Sequence, residues 1–448
     1  YRYWEMLAGG IVYFASGISK VGQRSGRVIF YAGCALVFFS FVYFDAGFAW
    51  PGAYAVVPVV GASLILFSAQ QDLFINRVGI IQWVGDRSYS IYLWHWPVVV
   101  LLAYFSKLAA PLWVLGGIVL SLLLAEFSYR LVEVPARKAV FWGKEWGAVF
   151  LTGFVLLVAV VCAQWIINSK GVLSRVPEDV IAIRAEKNNT NKRGNECVAD
   201  NRPVPPSCVY GGQNVRAIVL GDSHANTLVT GVAAGLLSPT DGLWYWGHLA
   251  CPFLKGVSDY PGCSAFNAWA LQRMREVSPE IPLIVISRWS YYALGGNEGK
   301  SAGGSGRPPI HFSKEYDRPD PDFLQEFRAA MLDTLCEAAT TRKVYVLKPV
   351  PELAVSVPQA MARGKMMGKV TRVSMSRADY GQRNAFILSV LDDARHKCGI
   401  ELLDPLPYLC DNNYCYGDIG GRPAYFDDDH LSEYGNKFLA PLFAEVFQ

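Results

Sequence analysis

The sequence predicts two fold classes in one chain. The first is an α-helical transmembrane bundle with six spans, and the second is an α/β domain with a central parallel sheet flanked by helices. Three observations predict this. Residues 4–167 contain six apolar segments, each close to the roughly 17–25 residues a helix needs to cross a bilayer. From residue 215 onward, short apolar runs alternate with helical stretches, the pattern of a parallel sheet covered on both faces. Charged residues are only 18% of the 448-residue chain and hydrophobic ones 52%, whereas a soluble domain carries about 25% charged residues.

The apolar segments run over residues 4–19, 28–44, 54–70, 89–106, 112–129 and 148–167. Pro58 and Pro97 fall inside spans, where neighbouring helices can satisfy the freed carbonyls. Tyr43, Trp50, Tyr54, Trp83, Trp113 and Trp146 crowd the segment ends, as interfacial belts do. Lys20, Arg24 and Arg27 follow the first segment, Arg77 and Arg87 the third, and Arg130, Arg137, Lys138 and Lys144 the fifth. The alternate loops carry only Lys107, so the basic loops are expected in the cytoplasm and everything after residue 168 outside it. His95 is the only histidine within a span. Glu5 and Glu126 sit at span ends, where pairing with Arg2 or Arg130 accounts for them.

Cysteine usage points the same way. Cys34 and Cys162 lie in apolar runs and read as small hydrophobes. The other eight, Cys197, Cys208, Cys251, Cys263, Cys336, Cys398, Cys410 and Cys415, all follow residue 195, which implies an oxidising compartment for that half. Proximity suggests the pairs 197–208, 251–263 and 410–415, leaving 336–398, although eight cysteines allow about 105 pairings. No Cys-x-x-Cys or His-x-x-x-His spacing supports zinc, and Asp427-Asp428-Asp429 fits no calcium loop, so no metal is expected. A net charge of +3 gives nucleic-acid binding no electrostatic support.

Residues 1–147 therefore read as five spans, 148–168 as a further span, 169–214 as a polar connector outside the membrane, and 215–448 as the α/β domain. Strands are expected at 215–220, 243–247, 283–288, 343–348 and 400–403. Helices are expected near 225–237, 264–277, 321–341, 383–397 and 432–447. Gly295 to Gly306 reads as a loop without phosphate-loop spacing.

Two tetrapeptides carry the chemistry. Gly221-Asp222-Ser223-His224 follows the first strand, and Asp427-Asp428-Asp429-His430 precedes the last helix. A serine at a strand-to-helix turn is held out at the sheet's edge, with the helix N-terminus behind it favouring developing negative charge. Ser223 supplies a nucleophile, His430 a base and Asp427 its orienter. Ligands of such sheets bind beyond the carboxyl ends of the strands, where all three should meet. His224 either lines an acceptor pocket or caps the helix. Trp244, Tyr245, Trp246, Trp289, Tyr291 and Tyr292 follow strands on the same edge, where Trp246 and Trp289 are candidates for stacking on sugar rings. His248, His311 and His396 read as surface or loop residues.

On Gly221-Asp222-Ser223 and Asp427-x-x-His430 the second half resembles the SGNH hydrolase family. That resemblance implies an oxyanion hole built from the Ser223 N–H, the glycine after the second strand (Gly247), and an asparagine after the third. Here the third block reads Ser287-Arg288-Trp289-Ser290, so Arg288 or a backbone N–H takes the asparagine's place. The first half resembles the membrane acyltransferase-3 family, on the strings from Tyr1 to Gly9 and from Gly85 to Pro97. One branch of that family carries an extra span and a C-terminal SGNH domain, and this chain matches the C-terminal part of such a protein. On this reading it is expected to have no signal peptide of its own and to lack the family's early spans with their essential histidine.

The resemblance implies a bacterial inner-membrane protein, with its C-terminal domain in the periplasm, that O-acetylates a cell-envelope polysaccharide or lipopolysaccharide sugar. Acetyl-CoA would be the donor to the full-length membrane domain, with no cofactor bound. Its partners would be a cell-envelope glycan acceptor and the lipid bilayer. The same residues also suit a carbohydrate esterase with water as acceptor, or a non-catalytic domain that positions glycan.

Overall fold

The computed structural model describes residues 3–18, 21–44, 52–70, 73, 77–105, 107–108, 110–141, 145–169, 171, 175–199, 208–258, 262–296 and 306–448. Lys20, Trp50, Lys144, the prolines at 203–206 and most of the Gly295–Gly306 stretch lie outside these residues. The chain divides into two compact units, Tyr1–Asn168 and Ser169–Gln448.

The first unit is helical: α1 (Tyr3–Ile18), α2 (Gln23–Tyr43), α3 (Val56–Phe67), α4 (Gly79–Asp86), α5 (Ser88–Tyr104), α6 (Pro111–Ser128), α7 (Val134–Phe141) and α8 (Glu145–Asn168). Helix α2 packs on α3 through Gly33 and Gly61, where a Cβ on Gly33 would lie 2.6 Å from the Gly61 carbonyl oxygen. Helix α5 packs on α6. Arg87 grips Glu126 and lies between the rings of Trp83 and Tyr129, so Glu126 pairs across helices as well as with Arg130. The His95 ring bonds its own helix at the Tyr92 carbonyl. Each of the six apolar segments coincides with a helix, but length and apolarity single out fewer as spans. Among the described residues two helical runs, Gln23–Tyr43 and Pro111–Lys138, are long and apolar enough to cross a membrane, while Ala53–Phe67 and Gly153–Asn168 are apolar but shorter. From Phe154 to Ile167, the large apolar side chains of α8 are exposed.

The second unit begins with α9 (Glu178–Ala185) and continues through β1 (Cys208–Gly211), β2 (Asn214–Gly221), α10 (Ser223–Ala234), β3 (Asp241–Gly247), α11 (Cys263–Glu276), β4 (Leu283–Ile286), α12 (Trp289–Leu294), α13 (Pro321–Ala339) and β5 (Val344–Leu347). It ends with α14 (Val357–Met366), β6 (Ser374–Ser376), α15 (Arg377–Cys398), β7 (Glu401–Leu403), α16 (Leu406–Leu409), β8 (Tyr414–Tyr416), β9 (Asp418–Ile419), β10 (Arg422–Pro423) and α17 (Ala440–Ala444). The main sheet has the order β1-β3-β2-β4-β5-β7. Five strands are parallel, but β1 runs antiparallel on β3, so the sheet is mixed rather than wholly parallel. This edge strand comes from the segment expected as a connector. Asn191 of that segment also bonds Asn226 in α10 and the Tyr210 hydroxyl in β1.

Strand residues alternate between two cores, as period-2 geometry requires. Ile218, Leu220, Leu283 and Val285 face α11, α13 and α15, while Ala217, Val219, Ile284 and Ile286 face α10, α14 and α17. Four disulfides, Cys197–Cys208, Cys251–Cys263, Cys336–Cys398 and Cys410–Cys415, close within this unit. Cys336–Cys398 ties the C-terminal ends of α13 and α15 across 62 residues of chain, the longest loop closed and so the largest entropic restraint on the unfolded state. With both cores and every disulfide inside it, Ser169–Gln448 contains what it needs to fold alone.

Strand β2 comes first of the parallel strands yet lies between β3 and β4, so the chain winds one way from β2 and then the other. The carboxyl end of β2 is therefore the switch point where a crevice opens. Gly221 makes that end possible. It pairs with Ile286 in register, and a Cβ there would sit 1.7 Å from the Ile286 carbonyl oxygen. Gly221→Ala should therefore push β2 from β4 and cost about 2–3 kcal/mol or more, as overpacking does. Urea denaturation of Ser169–Gln448 would read this as a lower midpoint.

Candidate active site

The turn from β2 into α10 is set by Asp222, which is fully buried. Its Oδ1 accepts the His224 N–H at 2.8 Å, capping the helix, and its Oδ2 accepts the Arg288 N–H at 2.8 Å from the turn after β4. Asp222 thus locks two neighbouring strand ends together and leaves Ser223 at the first position of α10. An aspartate cap is worth about 1 kcal/mol, and losing one partner of a buried carboxylate costs more.

Ser223 Oγ lies 2.8 Å from His430 Nε2, and His430 Nδ1 lies 2.8 Å from Asp427 Oδ2. Asp427 Oδ1 also accepts the backbone N–H groups of Asp429 and His430, at 3.0 and 2.7 Å, so one carboxylate folds the turn and orients the ring. Phe426 stacks on the imidazole with ring planes 9° apart. Ser223, His430 and Asp427 form one continuous chain at the switch point, the arrangement that a nucleophile, a base and its orienter require.

Sequence reasoning missed Asp429. Its carboxylate is buried. It lies 3.0 Å from His224 Nε2, 3.0 Å from Arg288 Nε and 3.3 Å from His430 Nδ1. Arg288 Nε also donates to Glu352 Oε1 at 3.0 Å, and Glu352 Oε2 receives Arg383 Nε at 3.2 Å. Arg383 in turn holds the Gly295 carbonyl at 2.5 Å. Nothing in the sequence distinguished Asp429 from Asp428, because only the tertiary fold buries one of them.

This network corrects several expectations. His224 neither caps α10 nor opens onto a pocket, since it is buried against Asp429 with its ring 4.7 Å from that of His430. Arg288 is committed through Nε to two buried carboxylates, and this disfavours it as an oxyanion donor. Trp289 and Trp246 belong to the core below the sheet, and Trp289 is fully buried, so neither offers a face to a sugar. Of the other aromatics on this edge, Tyr245 and Tyr292 are also buried, whereas Trp244 and Tyr291 are half-buried. His248 lies on the loop that follows β3, as one of its two readings had it, but is buried there beside Phe266. Gly247 ends β3 directly beside Gly221, one strand from the nucleophile. His224, Asp429 and His430 converge closely enough to hold a cation, but the Arg288 guanidinium already balances Asp429.

Residues 195–445 match the SGNH domain that occurs fused to AT3 domains, and residues 1–129 match an acyltransferase domain. The chain belongs to the family of SGNH domains fused to AT3 domains. Among its relatives is the peptidoglycan O-acetyltransferase OatA of Listeria monocytogenes, 27% identical over 151 residues, which are 31% of this chain and 24% of that protein. A putative O-acetyltransferase of Staphylococcus aureus is 22% identical over 46% of this chain and 36% of its own length. The putative peptidoglycan O-acetyltransferase YrhL of Bacillus subtilis is 32% identical over 27% of this chain and 20% of its own. The matched stretches thus span well under half of each relative. The periplasmic domain of a Salmonella Paratyphi A lipopolysaccharide acetyltransferase aligns with 53% of this chain and 86% of that chain, at 14% identity and a TM-score of 0.40.

In the SGNH domain, burial works against a charged His430, but the hydrogen bonds that its ring donates to the Asp427 and Asp429 carboxylates outweigh it and push its pKa up to about 10. Burial likewise works against the Asp429 carboxylate, and His224 and His430 overcome it, holding Asp429 below the usual range. The imidazolium therefore stabilises the fold below pH 6.5, its ordinary value, and that contribution fades as pH rises through about 10. The Asp429 contribution is present above the ordinary carboxylate range and is lost as pH falls through its depressed pKa. An NMR titration should find the His430 ring titrating near pH 10. In Asp429→Asn the midpoint should drop by about one unit or more. An unchanged midpoint would mean that Asp429 is not acting on the base.

Proposed function

We propose that the C-terminal unit is the group-transfer module of a membrane-bound O-acyltransferase that acetylates a hydroxyl of a cell-envelope glycan. One observation carries this reading: the unbroken Ser223–His430–Asp427 chain at the sheet's switch point, on a polypeptide whose first 129 residues match an acyltransferase domain. The named relatives, described as peptidoglycan O-acetyltransferases, support transfer over hydrolysis and a cell-envelope acceptor.

The mechanism has two half-reactions. Ser223 Oγ attacks the acyl carbonyl while His430 Nε2 takes its proton. The tetrahedral intermediate collapses, the leaving group takes that proton, and an ester remains on Ser223. A sugar hydroxyl then attacks this ester, giving its proton to Nε2. The new ester departs and Ser223 regains its proton. The backbone N–H groups of Ser223 and Gly247 face the developing oxyanion in this reading. His224, Arg288 and Asp429 hold the base and the β4 turn, and touch no reacting atom. Acetyl-CoA supplies the acyl group to the membrane half. The apolar helices cross the bacterial inner membrane and deliver residues after 168 to its outer side. The basic loops and the four disulfides support that orientation.

The test supplies Ser169–Gln448 with an activated acetyl ester, with and without envelope polysaccharide, and weighs the sugar. Acetylated sugar should form with wild type, and Ser223→Ala or His430→Ala should lose about 10⁴-fold or more of the rate. The base must be neutral to act, so transfer should fall as pH drops below about 10 and rise towards it. Free acetate without acetylated sugar would replace transfer by esterase activity. Full activity in Ser223→Ala would remove the serine from the mechanism.

A further inference from the structure

The connector ahead of β1 is bonded to three parts of the site in succession. The Asn189 carbonyl accepts the Glu433 N–H at 2.8 Å, three residues beyond His430. Asn191 Nδ2 lies 2.9 Å from the Asn226 carbonyl oxygen and 3.1 Å from Asn226 Oδ1, three residues beyond Ser223. The Ala199 N–H donates to the Gly247 carbonyl at 2.8 Å, where β3 ends beside Gly221. The first two contacts form a bracket. Asn189 and Asn191 are two residues apart, a span of at most about 7 Å, and they hold the loop of the base and the helix of the nucleophile.

The Asn191 amide is held from outside α10. Its Nδ2 also lies 2.9 Å from the Tyr210 hydroxyl in β1, and its Oδ1 accepts the Arg193 N–H at 3.1 Å. Arg193 bonds the Val209 carbonyl at 2.8 Å, and the Cys197–Cys208 disulfide fastens the same segment to β1. On the other side of Asn189, the buried Glu186 carboxylate accepts Asn189 Nδ2 at 2.8 Å and Arg422 Nε at 2.6 Å. The donor is therefore in place whatever α10 does.

Its target adjoins the nucleophile. Residues three apart are neighbours on one face of a helix, so Asn226 lies beside Ser223. The Asn226 N–H donates to the Asp222 carbonyl at 3.1 Å, closing the first turn of α10. The Gly194 backbone packs against the Asn226 side chain so closely that a Cβ there would sit 2.8 Å from Asn226 Nδ2. Asn436 bonds the Thr227 carbonyl and Glu433 accepts the Thr230 hydroxyl, both farther along α10. We infer that Asn191 is a positioning residue for the reaction: through Asn226 it holds the first turn of α10, and with it Ser223, at bonding distance from His430. This rests on the reading of Ser223 as nucleophile and His430 as base, and deepens it.

The test gives Ser169–Gln448 p-nitrophenyl acetate and follows release of p-nitrophenolate. Asn191→Ala should lower kcat about tenfold or more, because small displacements of reacting groups are costly, and should leave KM within about twofold. The His430 midpoint in an NMR titration should match wild type, since Asp427 and Asp429 are untouched. Asn191→Asp keeps the shape but turns an acceptor towards the Asn226 carbonyl, and should be at least as slow. Asn226→Ala removes one acceptor and keeps the carbonyl, so a loss of about threefold is expected, and it decides the matter if Asn191→Ala does not fold. Circular dichroism and thermal unfolding would show which variants are folded at the assay temperature. A folded Asn191→Ala with wild-type kcat, even at a lowered melting temperature, overturns the inference and leaves Asn191 a structural residue. So does a loss of kcat accompanied by a displaced His430 midpoint, since the base would then be disturbed and the place of the serine would not be the cause. Wild-type release by Ser223→Ala would instead remove the catalytic reading itself, whatever Asn191→Ala does.

Discussion

The buried Asp429 carboxylate is the constraint on which the site depends. A carboxylate taken out of water must be matched by donors or it loses its charge. Here the donors come from three places far apart in the chain: His224 on the nucleophile's helix, Arg288 after β4, and His430 on the final loop. Satisfying one charge therefore pins three elements to one another. The net energy of such a cluster is small, because desolvation offsets most of the attraction. Its effect is geometric, since any other arrangement of these elements strands a charge. Glu352 extends the same logic outward, shared by Arg288 and Arg383.

The sheet supplies what the charges cannot, a rigid base. Both faces are covered, alternate strand residues enter different cores, and the turns that carry Ser223 and Arg288 leave the carboxyl edge where β2 has a neighbour on either side. A site built on strand ends moves only if the strands move. The helix caps, the disulfide between α13 and α15, and the Gly221 contact all resist that. The loop carrying Asp427 would be the weakest member, but its carbonyls are bound by the first turn of α14 and the segment before it.

Much of this was legible in the sequence for identifiable reasons. Ser223, Asp427 and His430 lie in short motifs at the ends of strongly patterned elements, so their meeting followed from parallel topology. The five parallel strands and the major helices were legible from apolar periodicity. The edge strand Cys208–Gly211 was not, because four residues beside a proline-rich stretch carry too little pattern, and pairing with β3 alone makes them a strand. Trp246 and Trp289 were misread because an aromatic residue near a strand end looks the same whether it points inward or outward. Asp429, His224 and Glu352 were invisible as a group, since burial of a charge depends on contacts across more than 200 residues. In the first unit, Arg87 and Glu126 meet across helices, a pairing that loop position alone did not suggest.

The Gly221 contact has a consequence for reading related genomes. A search that scores only the nucleophile and the base would accept a chain with any small residue before Asp222. The 1.7 Å approach to the Ile286 carbonyl says otherwise. A chain that kept Ser223 and His430 but carried a side chain at position 221 would have to part β2 from β4, the junction that presents them. The glycine thus constrains the sequence at this junction without supplying any polar group to the site.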